Sequence, residues 1–288
     1  MPETVVFMDG VRSSAEGATV SVFDRGFLYG DSVFETMRTY GRRLFALDEH
    51  MARLERSAER VLIRLPLALP AFTREVVEAV ASVNNDESFA RVMLTRGRGE
   101  SLGLDPGLAQ SPLRVVIVGP LKAIPEQKYE EGIAVITHHA PRLADGTGAA
   151  GAKVGNYLAA VLAIDEARRV GAEEALFVDA EQRVLEGSTS NVFAVKGGRL
   201  LTVPEELGIL SGITRAHVLK LAAQLGISTE IREIGKNELY ECDELFISSS
   251  IREVLPVVSV DGRRVGSGRP GPLTRALLAA FRQAARSG

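Results

Sequence analysis

The stretch GAKVGNYLAAVLAIDEARR (Gly151 to Arg169), followed by EGSTSNVF (Glu186 to Phe193), decides how this chain is read. Lys153 stands just ahead of a segment with helical spacing, and Glu186 opens a turn rich in Gly, Ser and Thr. A lysine amine so placed suits an aldehyde cofactor, and a carboxylate can hold the proton of a pyridine ring, so that together they tune an electron sink. Alone the pair is weak evidence, because most lysines near helix starts are solvated surface residues. The flanking motifs decide between the two readings.

Those motifs are DRGFLYGDSVFETMR (Asp24 to Arg38), LDEHMARL (Leu47 to Leu54), KVGNYL (Lys153 to Leu158), EGSTSNVF, GITR (Gly212 to Arg215) and FISSSIREVLPV (Phe246 to Val257). Together, and in this order, they resemble the class IV aminotransferases, the fold-type IV pyridoxal-phosphate enzymes. That family includes branched-chain and D-amino-acid aminotransferases and 4-amino-4-deoxychorismate lyase. The resemblance runs from about Val5 to the C-terminus. It implies an α+β fold of two domains with mixed sheets and flanking helices, pyridoxal 5'-phosphate as cofactor, and a homodimer or higher homo-oligomer in which the loop near Leu102 to Pro106 closes a neighbour's pocket.

Composition is compatible with this. A chain of 288 residues, 45% of them hydrophobic, has enough apolar material for one large or two small domains. The formal charge of -3 is spread without a basic stripe, so neither nucleic acid nor an anionic membrane surface is an expected partner. The longest apolar runs are too short to span a bilayer, and MPETVVFMDG lacks a cationic region leading into an apolar one. The single cysteine, Cys242, excludes an internal disulfide and a thiolate cluster and reads as a small core residue. A cytoplasmic enzyme is expected.

The residues predict a first domain over 1–119, a linker over 120–132 that mixes two prolines with charge, and a second domain over 133–288 carrying the lysine. In the first, VVFMDGVR reads as a strand with an Asp9-Gly10 turn, Ser32 to Thr39 as a strand, and Tyr40-Gly41-Arg42 as a turn. Asp48 is a plausible N-cap for a helix with Met51, Leu54, Ala58, Val61 and Leu62 on one face. A helix over Thr73 to Val83 precedes strands Ala90 to Thr95 and Arg114 to Val118. In the second, a strand over Ile133 to Thr137 leads to a helix from about Asn156 to Val170, with Leu158, Val161 and Leu162 at helical spacing. Short strands, a helix from Ile213 to Leu225, a hairpin around Asp261-Gly262 and a last helix from about Pro272 follow. Strands in runs with interspersed helices suggest α+β rather than a doubly wound parallel sheet.

The resemblance assigns roles residue by residue. Lys153 matches the Schiff-base lysine, which also moves a proton during transamination. Glu186 matches the glutamate paired with the pyridine nitrogen, where a negative charge favours the protonated ring. Arg53 matches the phosphate arginine, its guanidinium fork suited to phosphate oxygens. Ile213 and Thr214 fall at a helix start, where free N–H groups favour an anion. Ser250 matches a phosphate-binding hydroxyl, and Tyr157 a tyrosine against the cofactor's 3′-oxygen. Tyr29, Phe34, Thr36 and Arg38 align with the substrate-pocket strand, and Arg91, in Phe89-Ala90-Arg91, with an arginine that binds the substrate α-carboxylate. His138 and His139 lack metal-ligand spacing, so no metal site is expected. The glycines of RGRGESLGLDPG lack a strand–G-x-G-x-x-G–helix arrangement and read as a substrate-pocket loop.

The Phe89-Ala90-Arg91 step and LGLDP are similar to branched-chain aminotransferases, which implies amino transfer from branched-chain or hydrophobic L-amino acids to 2-oxoglutarate. Thr36 departs from the glycine usual there and is shared with 4-amino-4-deoxychorismate lyases. A D-amino-acid or (R)-amine transaminase is a further alternative, supported by the K-x-x-N spacing from Lys153 to Asn156.

Overall fold

The computed structural model describes residues 3–109, 111–139 and 149–287. The chain divides into two compact units, Met1–Lys122 with Ala152–Asn156, and Ala123–Gly151 with Tyr157–Gly288. Mixed α and β elements in each match the α+β expectation. Two features differ from the predicted organisation. The lysine-bearing segment groups with the first unit, and the segment read as a linker contains a helix, α4 (Glu126–Glu131).

The first unit contains strands β1 (Val5–Met8) and β2 (Val11–Ser14), helix α1 (Arg25–Tyr29), strands β3 (Ser32–Tyr40) and β4 (Arg43–Leu44), helices α2 (Leu47–Arg60) and α3 (Leu69–Ala81), and strands β5 (Ser88–Thr95) and β6 (Leu113–Pro120). Its sheet runs β2-β1-β6-β5-β3-β4, with every pair antiparallel. Asp9 and Gly10 both have positive φ, 49° and 82°, as the two-residue hairpin turn between β1 and β2 requires. On β3, Val33 and Met37 point into a core with Met51, Leu54 and Ala58 of α2 and Phe72 and Val76 of α3. Each large side chain fully buried there contributes about 1.5–3 kcal/mol.

Helix α2 begins differently from the expectation. Ala46, in the left-handed region at φ 53°, is the N-cap and makes no side-chain cap bond, and Asp48 lies inside the first turn with Glu49. Both carboxylates there suit the positive end of the helix dipole. Leu62, expected on the buried face, lies beyond the helix end with φ 58° and is exposed. Helix α3 starts earlier than predicted, with Pro70 in its first turn, where a missing N–H costs nothing.

The second unit contains α4, β7 (Ile133–His139), α5 (Leu158–Arg169), β8 (Glu174–Val178), β9 (Val184–Gly187), β10 (Asn191–Lys196), β11 (Arg199–Thr202), α6 (Ile213–Gln224), β12 (Thr229–Ile231), α7 (Glu238–Glu241), β13 (Glu244–Ser249), β14 (Glu253–Val260), β15 (Arg263–Arg264) and α8 (Pro272–Ser287). Its mixed sheet runs β12-β11-β10-β13-β14-β7-β8-β9, with β15 added to β14. Phe193 and Phe246 stack in its core at 4.8 Å between ring centres. Cys242 is buried there, and burial pushes its thiol up to about 12, so it is inert as a nucleophile. Helix α5 is displaced from the expected pattern: it buries Ala160, Ala163 and Ala167, and leaves Leu158, Val161 and Leu162 59–66% exposed. No helix among the described residues is long and apolar enough to cross a membrane.

One polar cluster is sealed inside the first unit. Glu35, on the α2-facing side of β3, receives Arg53 Nε at 2.6 Å and Arg53 Nη2 at 2.7 Å, and pairs with His50 Nδ1 at 2.7 Å. Burial alone would raise the Glu35 pKa, but the Arg53 and His50 hydrogen bonds outweigh it and bring the carboxyl down to about 2. Burial also lowers the His50 pKa, against the pull of Glu35. A carboxyl with a depressed folded pKa stabilises the fold above its unfolded value of 4.5 and loses that contribution as pH falls toward about 2. Glu35→Gln is therefore expected to destabilise the protein by about 2–4 kcal/mol near neutrality. In urea unfolding across pH, that deficit should shrink between pH 4.5 and about 2; a deficit independent of pH would remove the charge from this account.

Candidate functional site

The candidate residues divide between the two units, and each set is built by its own unit. In the first, the segment around Lys153 lies along β3 as a short extra strand. Phe34 N–H donates to the Lys153 carbonyl at 3.0 Å, Gly155 N–H donates to the Ser32 carbonyl at 2.8 Å, and Val33 and Val154 form an antiparallel bridge. Lys153 N–H also donates to Ser57 Oγ of α2 at 3.1 Å. Gly155 suits this approach, since a Cβ there would meet Ser32 Oγ at 2.1 Å and turn that hydroxyl aside.

So anchored, Lys153 Nζ lies 4.8 Å from the centre of the Phe34 ring. The Arg91 guanidinium lies against the same ring at 3.9 Å, and such cation–ring contacts are favourable. Thr36 and Arg91 are direct ladder partners between β3 and β5, and Phe34 is paired with Met93. Alternation along the strands therefore brings Phe34, Thr36, Arg38, Arg91 and Met93 onto one face, opposite the core. The Arg38 guanidinium stacks on Tyr40 at 4.3 Å.

Tyr29 is not on this strand. It ends α1, and its hydroxyl accepts from Gly103 N–H at 3.1 Å. Arg25 reaches the same loop, donating to the carbonyls of Gly103 at 2.7 Å and Leu104 at 3.2 Å. Asp31 holds Arg25 and Arg96 together, at 3.0 and 2.7 Å, and Arg96 also donates to the carbonyls of Val61 and Leu62 just past the last turn of α2. Burial would raise the Asp31 pKa, yet the two guanidinium groups keep it below the usual carboxylate value. The loop expected to shape the substrate pocket is thus tied to the sheet by buried charge.

Arg53 is buried on the core side of β3, unlike Arg56 and Arg60 on the same helix, which are exposed. The two parallel bonds it donates to Glu35 fix its guanidinium in one orientation. Glu35 and His50 are residues that sequence reasoning misses, although both stand inside the quoted motifs FETMR and LDEHMARL. A buried glutamate on a strand otherwise lined with apolar residues is the available signal.

In the second unit, Glu186 lies on β9 and its Oε2 accepts Leu210 N–H at 3.0 Å. Asn191, from the same motif, donates Nδ2–H to the Leu210 carbonyl at 2.9 Å. EGSTSN and GITR are therefore linked through one residue's backbone. Gly212 comes two residues later, where a Cβ would meet Asn191 Oδ1 at 1.9 Å and displace that side chain.

Gly212 is also the N-cap of α6 and offers no side-chain cap bond, so the N–H groups of the first turn, Ile213 and Thr214 among them, lack a side-chain acceptor. Thr214 is 3% exposed, and its Oγ1 is buried without a hydrogen-bond partner among the described residues. A buried orphan hydroxyl beside an uncapped helix start is the donor set that a phosphate group satisfies. The chain thus fits a phosphorylated cofactor. Tyr157 precedes α5 and is half-buried, and Ser250 is half-buried just after β13. Among the described residues no cluster of His, Cys, Asp and Glu is arranged to hold a metal ion.

The chain is similar to known proteins along nearly its whole length. Residues 32–260 match the amino-transferase class IV family. The chain is 38% identical to a putative branched-chain-amino-acid aminotransferase of Methanocaldococcus jannaschii, over 96% of this chain and 95% of that one. It is 33% identical to a D-alanine aminotransferase of Bacillus licheniformis, over 94% and 93%. A T.th. branched-chain amino acid aminotransferase, solved with pyridoxamine 5'-phosphate, superposes with a TM-score of 0.92 at 30% identity, covering 100% of this chain and 95% of that one. Matched by the family over residues 32–260 and by relatives along nearly its whole length, the chain belongs to the class IV amino-transferases and is a pyridoxal-phosphate-dependent transaminase.

Proposed function

We propose that this transaminase moves the amino group of branched-chain and other hydrophobic L-amino acids to 2-oxoglutarate. The observation that carries the reading is the face of the first-unit sheet, where Phe34 and Met93 supply apolar wall and Arg91 supplies one cation opposite Thr36. A substrate with one carboxylate and an apolar side chain matches that pairing of charge and hydrocarbon. The extended likeness to branched-chain aminotransferases supports the same choice.

When bound, pyridoxal phosphate supplies a ring that withdraws electrons from the carbon losing its α-proton. Lys153 Nζ would hold the cofactor and, as a free amine, would take the proton from the substrate α-carbon. Glu186, kept in place by Leu210 N–H, favours the protonated ring nitrogen. Arg53, Ile213 and Thr214 N–H, Thr214 Oγ1 and Ser250 would hold the phosphate, and Tyr157 would serve the 3′-oxygen. Arg91 receives the substrate carboxylate, with Tyr29, Phe34, Thr36 and Arg38 lining the side-chain pocket.

A homodimer or higher homo-oligomer in the cytoplasm belongs to the same proposal. Val22, Phe23 and Phe27 with Leu102 and Leu104 in the first unit, and Leu158, Val161 and Leu162 in the second, are exposed apolar side chains that a second copy would cover. Sedimentation of the purified protein as a monomer at micromolar concentration would end that part.

Comparing L-leucine, D-alanine, (R)-phenylethylamine and aminodeoxychorismate tests the substrate, with L-leucine expected to be preferred. D-alanine as the better donor would favour the activity named for the Bacillus licheniformis relative. Pyruvate release from aminodeoxychorismate, with no transamination of L-leucine, would replace the reading with a lyase. Borohydride reduction followed by peptide mapping should find the pyridoxyl group on the peptide containing Lys153, and Lys153→Ala should lose several orders of magnitude in turnover. Arg91→Ala should raise KM for L-leucine and 2-oxoglutarate alike with little change in kcat, and Thr36→Gly should improve L-isoleucine. An Arg91→Ala enzyme with unaltered KM for both would move the carboxylate site elsewhere.

A further inference from the structure

Glu174, at the start of β8, is fully buried and carries more hydrogen bonds than a strand residue needs. The β8–β9 ladder pairs Leu176 with Gly187, so Glu174 faces the turn that follows Glu186. There its Oε1 accepts Ser188 N–H at 3.2 Å and the Ser188 hydroxyl, and its Oε2 accepts the hydroxyls of Thr189 at 3.2 Å and Ser190 at 3.3 Å. Arg252 Nη1 also donates to Oε2, and Arg252 lies just past Ser250, its own N–H donating to Ser249 Oγ at 3.2 Å. A buried carboxylate needs a paired charge and filled lone pairs, and this one is satisfied by the turn, by Arg252 and by the Ala175 N–H, which donates to Oε1 at 3.0 Å.

The two groups it joins are the backbone turn directly after Glu186 and the segment that presents Ser250. In the proposed function these serve the ring nitrogen and the phosphate. We propose that Glu174 is a positioning residue that, through Arg252, keeps these two ends of the cofactor cradle in register; this rests on the roles given to Glu186 and Ser250. The hydroxyls of the STS turn act inward, on Glu174, rather than on the cofactor. Arg252 is the half-buried end of the tie, so its loss disturbs the Ser250 segment first, whereas loss of the Glu174 charge releases both.

The experiment titrates the cofactor-free protein with pyridoxal phosphate and, separately, with pyridoxal, which lacks the phosphate. Glu174→Gln should weaken both by about tenfold or more, the usual cost of removing a charged hydrogen-bond partner. Arg252→Gln should weaken pyridoxal phosphate by about tenfold while pyridoxal stays within about threefold, and Arg252→Lys should restore most of the loss. Thermal unfolding of each cofactor-free variant shows whether the fold persists. If Glu174→Gln fails to fold, the two Arg252 variants decide alone. Pyridoxal phosphate affinities within about threefold of the parent in both Gln variants would overturn the proposal. So would an Arg252→Lys protein as impaired as Arg252→Gln, since the loss would then follow packing and not charge. A parent protein that binds no pyridoxal phosphate would instead overturn the cofactor roles themselves, and one that binds it but ignores L-leucine leaves this inference standing.

Discussion

Two backbone hydrogen bonds, Phe34 N–H to the Lys153 carbonyl and Gly155 N–H to the Ser32 carbonyl, hold the lysine segment against β3. The segment is far from β3 in sequence, yet it belongs to the same compact unit because of this pairing. Its direction along β3 decides where Nζ goes, and the Phe34 ring decides where it rests. The opposite side of the same strand carries Glu35, which aims Arg53. One strand therefore serves two tasks through alternation: Phe34, Thr36 and Arg38, the proposed substrate-facing side chains, lie on one face, and Glu35, which orients the Arg53 guanidinium, lies on the other.

The second unit reaches a comparable result by different means. Leu210 offers its N–H to Glu186 and its carbonyl to Asn191, and the close approach of Asn191 to Gly212 sets the start of α6. A carboxylate and a helix terminus, with opposite electrostatic preferences, are thus spaced by a single short connection. Precision comes from polar contacts to backbone, which tolerate little displacement before they fail. Side-chain packing of the Phe193 and Phe246 kind surrounds this framework without setting its chemistry.

Signals in the sequence are legible where local chemistry decides. The Asp9-Gly10 and Asp261-Gly262 turns both adopt positive φ, and the strands carrying Phe34 and Arg91 lie where alternation places them. Helix faces are less legible. Leu158, Val161 and Leu162 have the right period, but the α5 face that packs is built of alanines, because a close helix–sheet approach favours small residues. Strand β14 is hidden by Pro256, which removes a ladder donor, although Pro256 pairs with Phe246 inside the sheet. Glu174 is illegible for another reason: its importance lies in Ser188, Thr189, Ser190 and Arg252, which no spacing rule connects to it. The motifs contain Glu35, His50 and Arg252, yet nothing in their spacing says which side chain each of them steadies.

The bare first turn of α6 has a thermodynamic side. The Thr214 hydroxyl, buried without a partner among the described residues, and a helix start that no side chain caps leave the protein less stable than its packing would allow. An anion that satisfies them returns that energy to the native state only, so occupancy and folding are linked. At a hundred times the dissociation constant such a ligand adds about 2.7 kcal/mol, a substantial share of the stability of a typical domain. On the proposed cofactor roles, a chain made when the cofactor is scarce would open more often and meet proteases sooner than one made when it is abundant.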